Sequence, residues 1–265
     1  MRLSVPWDVM DDRERRARMD AWLAGARAVG ARPLLTFGHA PGDRRKVLPS
    51  PARLARELRR IRAHQPELRE VATWNEANHC GEPTCHKPAL TARYYLALRA
   101  ACPGCTVLAA EVLDMPNMRS WVRSFERALP ERQRRGLTWG LHNYLDANRL
   151  RTSGTRALLA ATRGQIWLTE TGGIVRRATV KKVTFPESVD HAAVATRWLF
   201  QRLVPLSPRI TRVYLYHWSA TPGASWDSAL IGERGEVRPA LRVLRNVLQS
   251  QRSRGTARPA ERHLR

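Results

Sequence analysis

Short apolar runs alternate with amphipathic segments along most of this chain, and this alternation constrains its fold more than any other feature. Seven runs have β-strand character, and each is followed by a segment with helical periodicity. The predicted strands are Arg2–Pro6, Arg32–Phe37, Glu70–Trp74, Thr106–Ala110, Thr138–His142, Gln165–Thr169 and Arg212–Trp218. Strands that alternate with helices are typical of parallel α/β architecture.

Helix start and stop signals support this reading. Ser50 can cap a helix whose first position is Pro51, and Gly30 is a good terminator for the helix before it. The predicted helices are Arg13–Val29, Pro51–His64, Ala89–Ala101, Asn117–Leu129, Thr155–Thr162, Val189–Leu203 and Pro239–Gln249. Seven strand–helix units suit a (β/α)₈-type barrel with one unit fewer, or an open doubly wound sheet. No glycine-rich phosphate loop follows any strand, which weakens the nucleotide-binding version of the open sheet.

The sequence predicts one domain with a tail. Residues 1–250 contain no linker, repeat or low-complexity block, and 250 residues is an ordinary size for a single α/β barrel domain. Residues 251–265 are basic, polar and aperiodic, and we expect them to be disordered.

The net charge of +23 invites a nucleic-acid hypothesis. The basic residues are mostly arginines spread over nearly every predicted helix, as in Arg53, Arg56, Arg59 and Arg60, which is typical of solvated outer faces. No nucleic-acid-binding motif focuses this charge, so we predict no specific nucleic-acid partner.

No apolar run approaches the ~18 residues that a membrane span needs. We expect a monomer.

Four cysteines form two close pairs, Cys80 with Cys85 and Cys102 with Cys105. A predicted helix between the pairs, about 20 Å long at ~1.5 Å per residue, holds them too far apart for one zinc ion. Two local disulfides are the favoured interpretation, and free thiols are the alternative. Disulfides would indicate an exported protein, although the chain begins without a signal peptide.

Polar and aromatic side chains gather where the predicted strands end. In a parallel barrel these positions open on the face where active sites are built. The residues concerned are Trp7, His39, Asn75, Glu76, Glu111, Asp114, His142, Tyr144, Glu170 and Trp218. Some have plainer interpretations: Trp7 can simply cover the core, and His39 can bond a loop carbonyl.

Glu76 and Glu170 each follow an apolar strand, where an unpaired carboxylate is costly to desolvate. A salt bridge to an arginine is one explanation, and chemistry is the other. Glycosidic cleavage needs one protonated carboxyl group and one ionised carboxylate. The charge of each is expected to raise the pKa of its neighbour and so create the acid. Trp74 and Trp218 are candidate flat faces for sugar rings, and Asn75, His142 and Tyr144 can bond hydroxyl groups.

At these residues the sequence resembles the clan A glycoside hydrolases, which include families 5 and 39, and the whole chain is similar to actinobacterial glycosyl hydrolase-type proteins. Trp-Asn75-Glu76-Ala-Asn resembles the acid/base segment, although the family more often has Pro where this chain has Ala77. Thr-Glu170-Thr-Gly resembles the nucleophile segment. The resemblance implies that Tyr144 bonds the nucleophile and that Trp218 forms the floor of the sugar subsite.

The spacing of the two glutamates provides a check. If Glu76 ends strand 4 and Glu170 ends strand 7 of such a barrel, two strands should lie between them and one should follow, as predicted here. Counting back from Glu76 leaves the chain without strand 1 and its helix. We therefore expect a start upstream of Met1, with an export signal, and an extracellular protein.

The sequence thus predicts a retaining O-glycoside hydrolase acting on an oligo- or polysaccharide, with Glu170 as nucleophile and Glu76 as acid/base. Trp7, His39, Asn75, His142, Tyr144 and Trp218 are the candidate substrate-binding residues. The reaction requires no metal and no cofactor. The alternative is a barrel, or an inactive fragment of one, that binds carbohydrate without cleaving it.

Overall fold

The computed structural model describes residues 1–178 and 184–256. The chain divides into two compact units. The first consists of Met1–Asn143, Ser153–Glu170 and Ser207–Tyr214, and the second of Tyr144–Thr152, Thr171–Leu206 and the described residues from Leu215 onward.

The strands are β1 Arg2–Pro6, β2 Leu34–Gly38, β3 Glu70–Ala72, β4 Thr106–Leu113, β5 Thr138–His142, β6 Ile166–Thr171, β7 Arg176–Arg177, β8 Ile210–Leu215 and β9 Trp226–Asp227. The helices are α1 Arg13–Ala28, α2 Pro51–His64, α3 Pro88–Ala101, α4 Met118–Arg127, α5 Glu131–Arg134, α6 Tyr144–Asn148, α7 Ser153–Ala161, α8 Val189–Trp198 and α9 Pro239–Thr256. A π-helical turn, Leu199–Leu203, continues α8.

The principal sheet has seven parallel strands in the order β1-β2-β3-β4-β5-β6-β8. The order of these strands across the sheet is therefore the same as their order along the chain. This is the arrangement of a (β/α)₈ barrel, whereas a doubly wound sheet reverses its strand order at one point. This confirms the predicted fold class, a TIM-type barrel plan with seven of its eight strands in the described residues.

Contacts between distant strands show that this sheet is curled. Strands in a flat sheet lie about 4.8 Å apart, which would put β1 and β6 more than ~20 Å from each other. Instead, Arg2 of β1 donates a hydrogen bond to Glu170 of β6 over 2.8 Å. Arg212 of β8 similarly reaches Glu70 of β3 over 2.5 Å. The inner face of the sheet therefore encloses side chains from non-neighbouring strands.

An apolar layer fills part of this inner face. Leu34, Ala72, Leu108 and Trp167 come from four different strands and pack into one buried cluster, against which Tyr214 of β8 is packed.

Outside the sheet, α2 is a regular amphipathic helix that begins as predicted. The Ser50 side chain accepts a hydrogen bond from the Arg53 backbone N–H, and Pro51 occupies the first turn.

Several element bounds differ from the predictions. Strands β4 and β6 run further than expected, so Glu111 and Glu170 lie within strands instead of after them. Helix α9 continues through Thr256, past Gln251 where the tail was expected to begin. Residues 257–265 of that tail lie outside the described residues. The short elements α5, α6, β7 and β9 were not predicted.

The second unit contains α6, α8, the two-stranded antiparallel pair of β7 and β9, and α9. The buried ion pair between Arg238 and Asp227 holds the start of α9 against β9, with nitrogen–oxygen distances of 2.7 and 2.8 Å. Leu230, Ala240 and Leu241 form its small apolar cluster.

Both cysteine pairs form disulfides, Cys80–Cys85 and Cys102–Cys105, with Cα–Cα distances of 4.9 and 5.5 Å. This confirms the favoured interpretation of their spacing and removes the free-thiol alternative. Among the helices in the described part of the chain, none combines the length and apolarity that crossing a bilayer requires.

Candidate active site

Glu76 lies in the loop that follows β3, at the carboxyl end of the sheet. Its φ of +43° is in the left-handed region, which non-glycine residues rarely adopt. Such strain persists only where surrounding contacts enforce it, and it is concentrated at functional sites. Here the Asn75 N–H donates to the Phe37 carbonyl (2.7 Å) and the Ala77 N–H to the Glu111 carbonyl (2.8 Å), so both neighbours are tied to adjacent strands.

His142 and Glu170 are register partners on adjacent strands β5 and β6. The register between these strands shifts just before them, between Gly140 and His142, and such irregularities re-aim side chains near active sites. A side chain at Gly140 would not fit, because a Cβ there would lie 2.5 Å from Glu111 Cγ. Gly140 therefore allows Glu111 to extend across the inner face of the sheet.

Glu76, His142 and Glu170 converge on one point. One carboxylate oxygen of each glutamate and one ring nitrogen of His142 lie within 4.8 Å of one another. His142 Nδ1 is 3.1 Å from Glu76 Oε1 and 3.8 Å from Glu170 Oε2. The histidine is fully buried, whereas the side chains of Glu76 and Glu170 keep 23% and 15% of their surface exposed. The two glutamates predicted from sequence thus share one small, accessible site in the first unit.

Arg2 and Glu111 complete the site, and the sequence did not assign a role to either. Arg2 donates two hydrogen bonds to the Glu111 carboxylate (2.8 and 2.6 Å) and a third to Glu170. It also donates to the side-chain oxygen of Asn75 at 2.6 Å. An arginine inside an apolar strand is the one sequence signal for this role, and among 46 Lys and Arg residues it did not stand out.

Two cations set the charge state of these carboxylates. Burial raises the pKa of Glu111, but the Arg2 guanidinium and His142 outweigh it and lower that pKa to about 2. Burial also raises the pKa of Glu76, but the hydrogen bond and charge of His142 outweigh this effect. With smaller contributions from the charges of His79 and Arg2, the pKa of Glu76 falls below its ordinary value. The expectation that mutual repulsion would raise the acid's pKa is therefore wrong for Glu76 in the unliganded protein.

His142 is held as a cation. Burial lowers its pKa, but the surrounding carboxylates, Glu170 foremost and then Glu111 and Glu76, raise it to about 9. A buried imidazolium is thus stable here only because three carboxylates face it. Its Nε2 lies 3.7 Å from Glu111, a distance suited to ion pairing and long for a hydrogen bond.

The other candidate binding residues of the first unit differ in accessibility. Asn75 faces Arg2, and His39 Nδ1 lies 2.7 Å from Glu82 Oε1. Trp7 is buried, donates its indole N–H to the Val47 carbonyl, and lies under the Arg44 guanidinium. This fits the plainer interpretation of Trp7 as a cover for the core.

Trp74 has no exposed surface and stacks on Tyr94, with ring centroids 5.6 Å apart. It therefore offers no face to a sugar ring, contrary to expectation, and its indole N–H instead donates to Glu82 at 3.0 Å.

Tyr144 and Trp218 belong to the second unit. Tyr144 begins α6, is buried, and packs edge-on against Trp226 with ring centroids 4.9 Å apart. Trp218 follows β8 and is 60% exposed, which leaves its indole face open to solvent. Their predicted roles as the partner of the nucleophile and the floor of the subsite stay predictions.

Carboxylate and imidazole donors are also the ligands that a divalent cation takes, and Glu76, His142 and Glu170 form such a set. Protein side chains supply the positive charge beside these carboxylates, and His142 would have to lose its proton before it could bind a metal. Arg2 already supplies a positive charge to Glu170.

Solved structures with a similar fold include several glycoside hydrolases. The GH53 catalytic domain from Ignisphaera aggregans is 15% identical, covers 93% of this chain and 84% of its own, and has a TM-score of 0.64. Xylanase 10B from Thermotoga petrophila, solved with xylobiose, is 10% identical, with 89% and 79% covered and a TM-score of 0.63. A family 39 glycoside hydrolase from Bacteroides cellulosilyticus is 13% identical, with 90% and 55% covered and a TM-score of 0.51.

These structural neighbours are clan A enzymes, the group that the sequence resembles. At such low identities the likeness establishes the fold. No protein-family model matches the sequence, and no curated protein matches it significantly.

Proposed function

We propose that this chain is a retaining O-glycoside hydrolase that acts on an oligo- or polysaccharide. The observation that carries the proposal is the approach of Glu76 and Glu170, whose nearest oxygens lie within 4.8 Å. Retaining enzymes place their two carboxyl groups about 5–5.5 Å apart, whereas inverting enzymes need about 6.5–9.5 Å to fit a water molecule. The short separation favours a covalent glycosyl-enzyme intermediate.

Glu170 is the proposed nucleophile. Arg2 and His142 flank its carboxylate, and Glu111 fixes Arg2 from the other side, so the attacking oxygen is held in one place. In the first step a Glu170 oxygen bonds to the anomeric carbon as the glycosidic C–O bond breaks. A buried, fixed environment of this kind stabilises charge without reorganisation during the reaction.

Glu76 is the proposed acid/base. It transfers its proton to the leaving oxygen, then takes a proton from the water that attacks the anomeric carbon and frees Glu170. Its side chain is the more exposed of the two, which suits a group that exchanges protons with water. A bound sugar would cover this surface, and the added burial would raise the pKa of Glu76 towards the protonated form that the first step needs.

Two disulfides support a further part of the proposal, that the protein works outside the reducing cytosol. Because a xylanase solved with xylobiose is among the structural neighbours, xylan is the first polysaccharide to test.

Substitution of the nucleophile tests the mechanism. With an activated aryl glycoside, Glu170→Ala should lose at least ~10³-fold in kcat, because the covalent step is removed. Azide should restore turnover and yield the glycosyl azide of inverted configuration, identified by NMR. Glu76→Ala should retain the first step on such substrates and lose turnover of natural glycosides.

Glu131→Ala is the matched control, since Glu131 is exposed on α5, and it should behave as wild type. Full activity of Glu170→Ala would rule out its role. Absence of turnover by the folded wild-type protein, combined with saturable oligosaccharide binding, would favour the non-catalytic carbohydrate-binding alternative.

A further inference from the structure

The loop between β3 and α3 carries a buried carboxylate that the proposed mechanism does not use. Glu82 lies between Cys80 and Cys85, so the disulfide closes the loop around it. Only 5% of its side chain is exposed. In a chain with twice as many basic as acidic residues, a buried carboxylate would ordinarily pair with arginine. Glu82 instead contacts two side chains at the carboxyl ends of strands.

Each carboxylate oxygen of Glu82 has its own partner. Oε1 lies 2.7 Å from His39 Nδ1, and Oε2 accepts the indole N–H of Trp74 at 3.0 Å. The loop backbone holds the carboxylate in place, because the Glu82 N–H donates to the His79 carbonyl (2.8 Å) and the Glu82 carbonyl accepts from the Cys85 N–H (3.2 Å). Glu82 therefore joins the loop after β2 to the loop after β3.

Both partners adjoin the proposed active site. Trp74 immediately precedes Asn75 and Glu76 and is locked by its stacking on Tyr94. His39 follows Gly38, where a Cβ would lie 3.7 Å from the Cβ of Asn75. The imidazole of His39 is 27% exposed, so it can reach a ligand. With its Nδ1 bound to a carboxylate, that nitrogen carries a proton, and Nε2 is the ring atom left for a sugar hydroxyl.

We propose that Glu82 is a positioning residue that fixes the tautomer and orientation of His39 for a substrate hydroxyl and, through Trp74, the backbone that carries Asn75 and Glu76. This inference rests on the proposed glycosidase function. The Cys80–Cys85 disulfide contributes to this positioning. It restrains the loop that keeps the desolvated Glu82 carboxylate between the N–H groups of His39 and Trp74.

Glu82→Gln is the sharpest variant. Glu82 accepts two N–H donors, whereas a glutamine amide has one acceptor oxygen and one NH₂ group, so one partner must face a donor. If the NH₂ faces His39, Nδ1 becomes an acceptor and the ring proton moves to Nε2. Alternatively, the Trp74 N–H loses its acceptor. Glu131→Gln, on exposed α5, makes the same chemical change without these contacts and serves as the control.

The first readout is the ¹⁵N NMR spectrum of the folded protein, in which the His39 ring nitrogens report the tautomer. We expect either the shifts of these nitrogens or that of the Trp74 indole N–H, whichever partner loses its acceptor, to change in Glu82→Gln, and both to stay at wild-type values in Glu131→Gln. Unchanged signals of both His39 and Trp74 in Glu82→Gln would overturn the proposal. This readout needs no substrate, so it remains decisive even if the protein hydrolyses no glycoside.

The second readout is a double-mutant cycle on kcat/KM. Glu82→Gln should reduce kcat/KM about 10- to 100-fold, the size of loss known for removing the carboxylate partner of a metal-binding histidine, which orients the imidazole in the same way. In a His39→Ala background the same substitution should cost less than ~5-fold, because only the contact with Trp74 is left to lose. Equal losses in both backgrounds would show that Glu82 does not act through His39 and would overturn that part of the proposal. If Glu82→Gln does not fold, Glu82→Asp, which keeps the charge but cannot reach both partners, takes its place in both readouts with the same expectations.

Discussion

Three carboxylates and two positively charged side chains lie together on the inner face of the sheet. Glu76, Glu111 and Glu170 are each within 4 Å of His142, and Arg2 bridges Glu111 and Glu170. The sequence indicated Glu76 and Glu170, because a carboxylate directly after an apolar run is costly unless it has a use or a partner. The sequence could not single out Arg2 among so many arginines. Arg2 reaches Glu111 and Glu170 only because the sheet curls, and the sequence does not show that curl.

His142→Gln should shift the pH dependence of the reaction. A general acid must be protonated, so kcat/KM should fall as pH rises through the pKa of free Glu76, which His142 holds below its ordinary value. Removing the imidazolium removes the hydrogen bond and the nearest positive charge, while burial, His79 and Arg2 remain. The alkaline limb of the kcat/KM profile should therefore move to higher pH.

Profiles on a glycoside with a poor leaving group measure this limb. An activated aryl glycoside, which needs no proton, is the control substrate and should show no such displacement. A limb at the same pH in wild type and His142→Gln would contradict the assignment of His142 as the group that sets the charge state of Glu76.

At the scale of elements, the sequence predicted best where local chemistry marks an end. Helix α2 has the bounds that Ser50 and Pro51 predicted. Strands β4 and β6 were predicted too short because the apolar pattern stops at Glu111 and Glu170, although both strands continue through these residues. Their carboxylates are tolerated there because Arg2 and His142 compensate them. The short α5 and α6 contain too few turns to show helical periodicity.

Ser50→Ala should destabilise the protein by about 1 kcal/mol, the usual cost of losing a helix N-cap. The substitution removes the acceptor of the Arg53 N–H at the start of α2, a helix whose apolar face is buried. Urea unfolding followed by circular dichroism measures the change. Ser50→Asp preserves an N-cap acceptor and should unfold within a few tenths of a kcal/mol of wild type. Equal stability of Ser50→Ala and wild type would show that water replaces the cap.

At the scale of the whole molecule, composition and topology carry different information. The alternation of strands and helices predicted parallel α/β architecture and allowed either a barrel or an open sheet. The resemblance to clan A glycoside hydrolases, checked by the spacing of the glutamates, favoured the barrel. The net charge of +23 says little about the fold. It arises largely from exposed helix faces, such as Arg56 and Arg59 on α2, and its main physical effect is repulsion within the folded chain.

Salt should therefore stabilise this protein. The screening length falls from about 30 Å at 0.01 M to about 8 Å at 0.15 M ionic strength, so repulsion between the outer helices is strongly reduced. We expect Tm to rise over this range, by scanning fluorimetry, and to rise less in Arg56→Gln/Arg59→Gln. Turnover of a neutral glycoside should barely respond to the same change in salt. A Tm that falls with salt would mean that attractive ion pairs dominate the surface.

The double attachment of Arg2 bears on how the site can be engineered. Because Glu111 binds this guanidinium through two hydrogen bonds, shortening Glu170 does not leave a buried cation without a counter-charge. The cavity vacated at position 170 should stay shaped and polar. If Glu76 and Glu170 have the roles proposed above, such a variant given an activated sugar fluoride of inverted configuration would keep the acid/base needed to join sugars and lack the nucleophile that cleaves the product. It would then suit glycan synthesis.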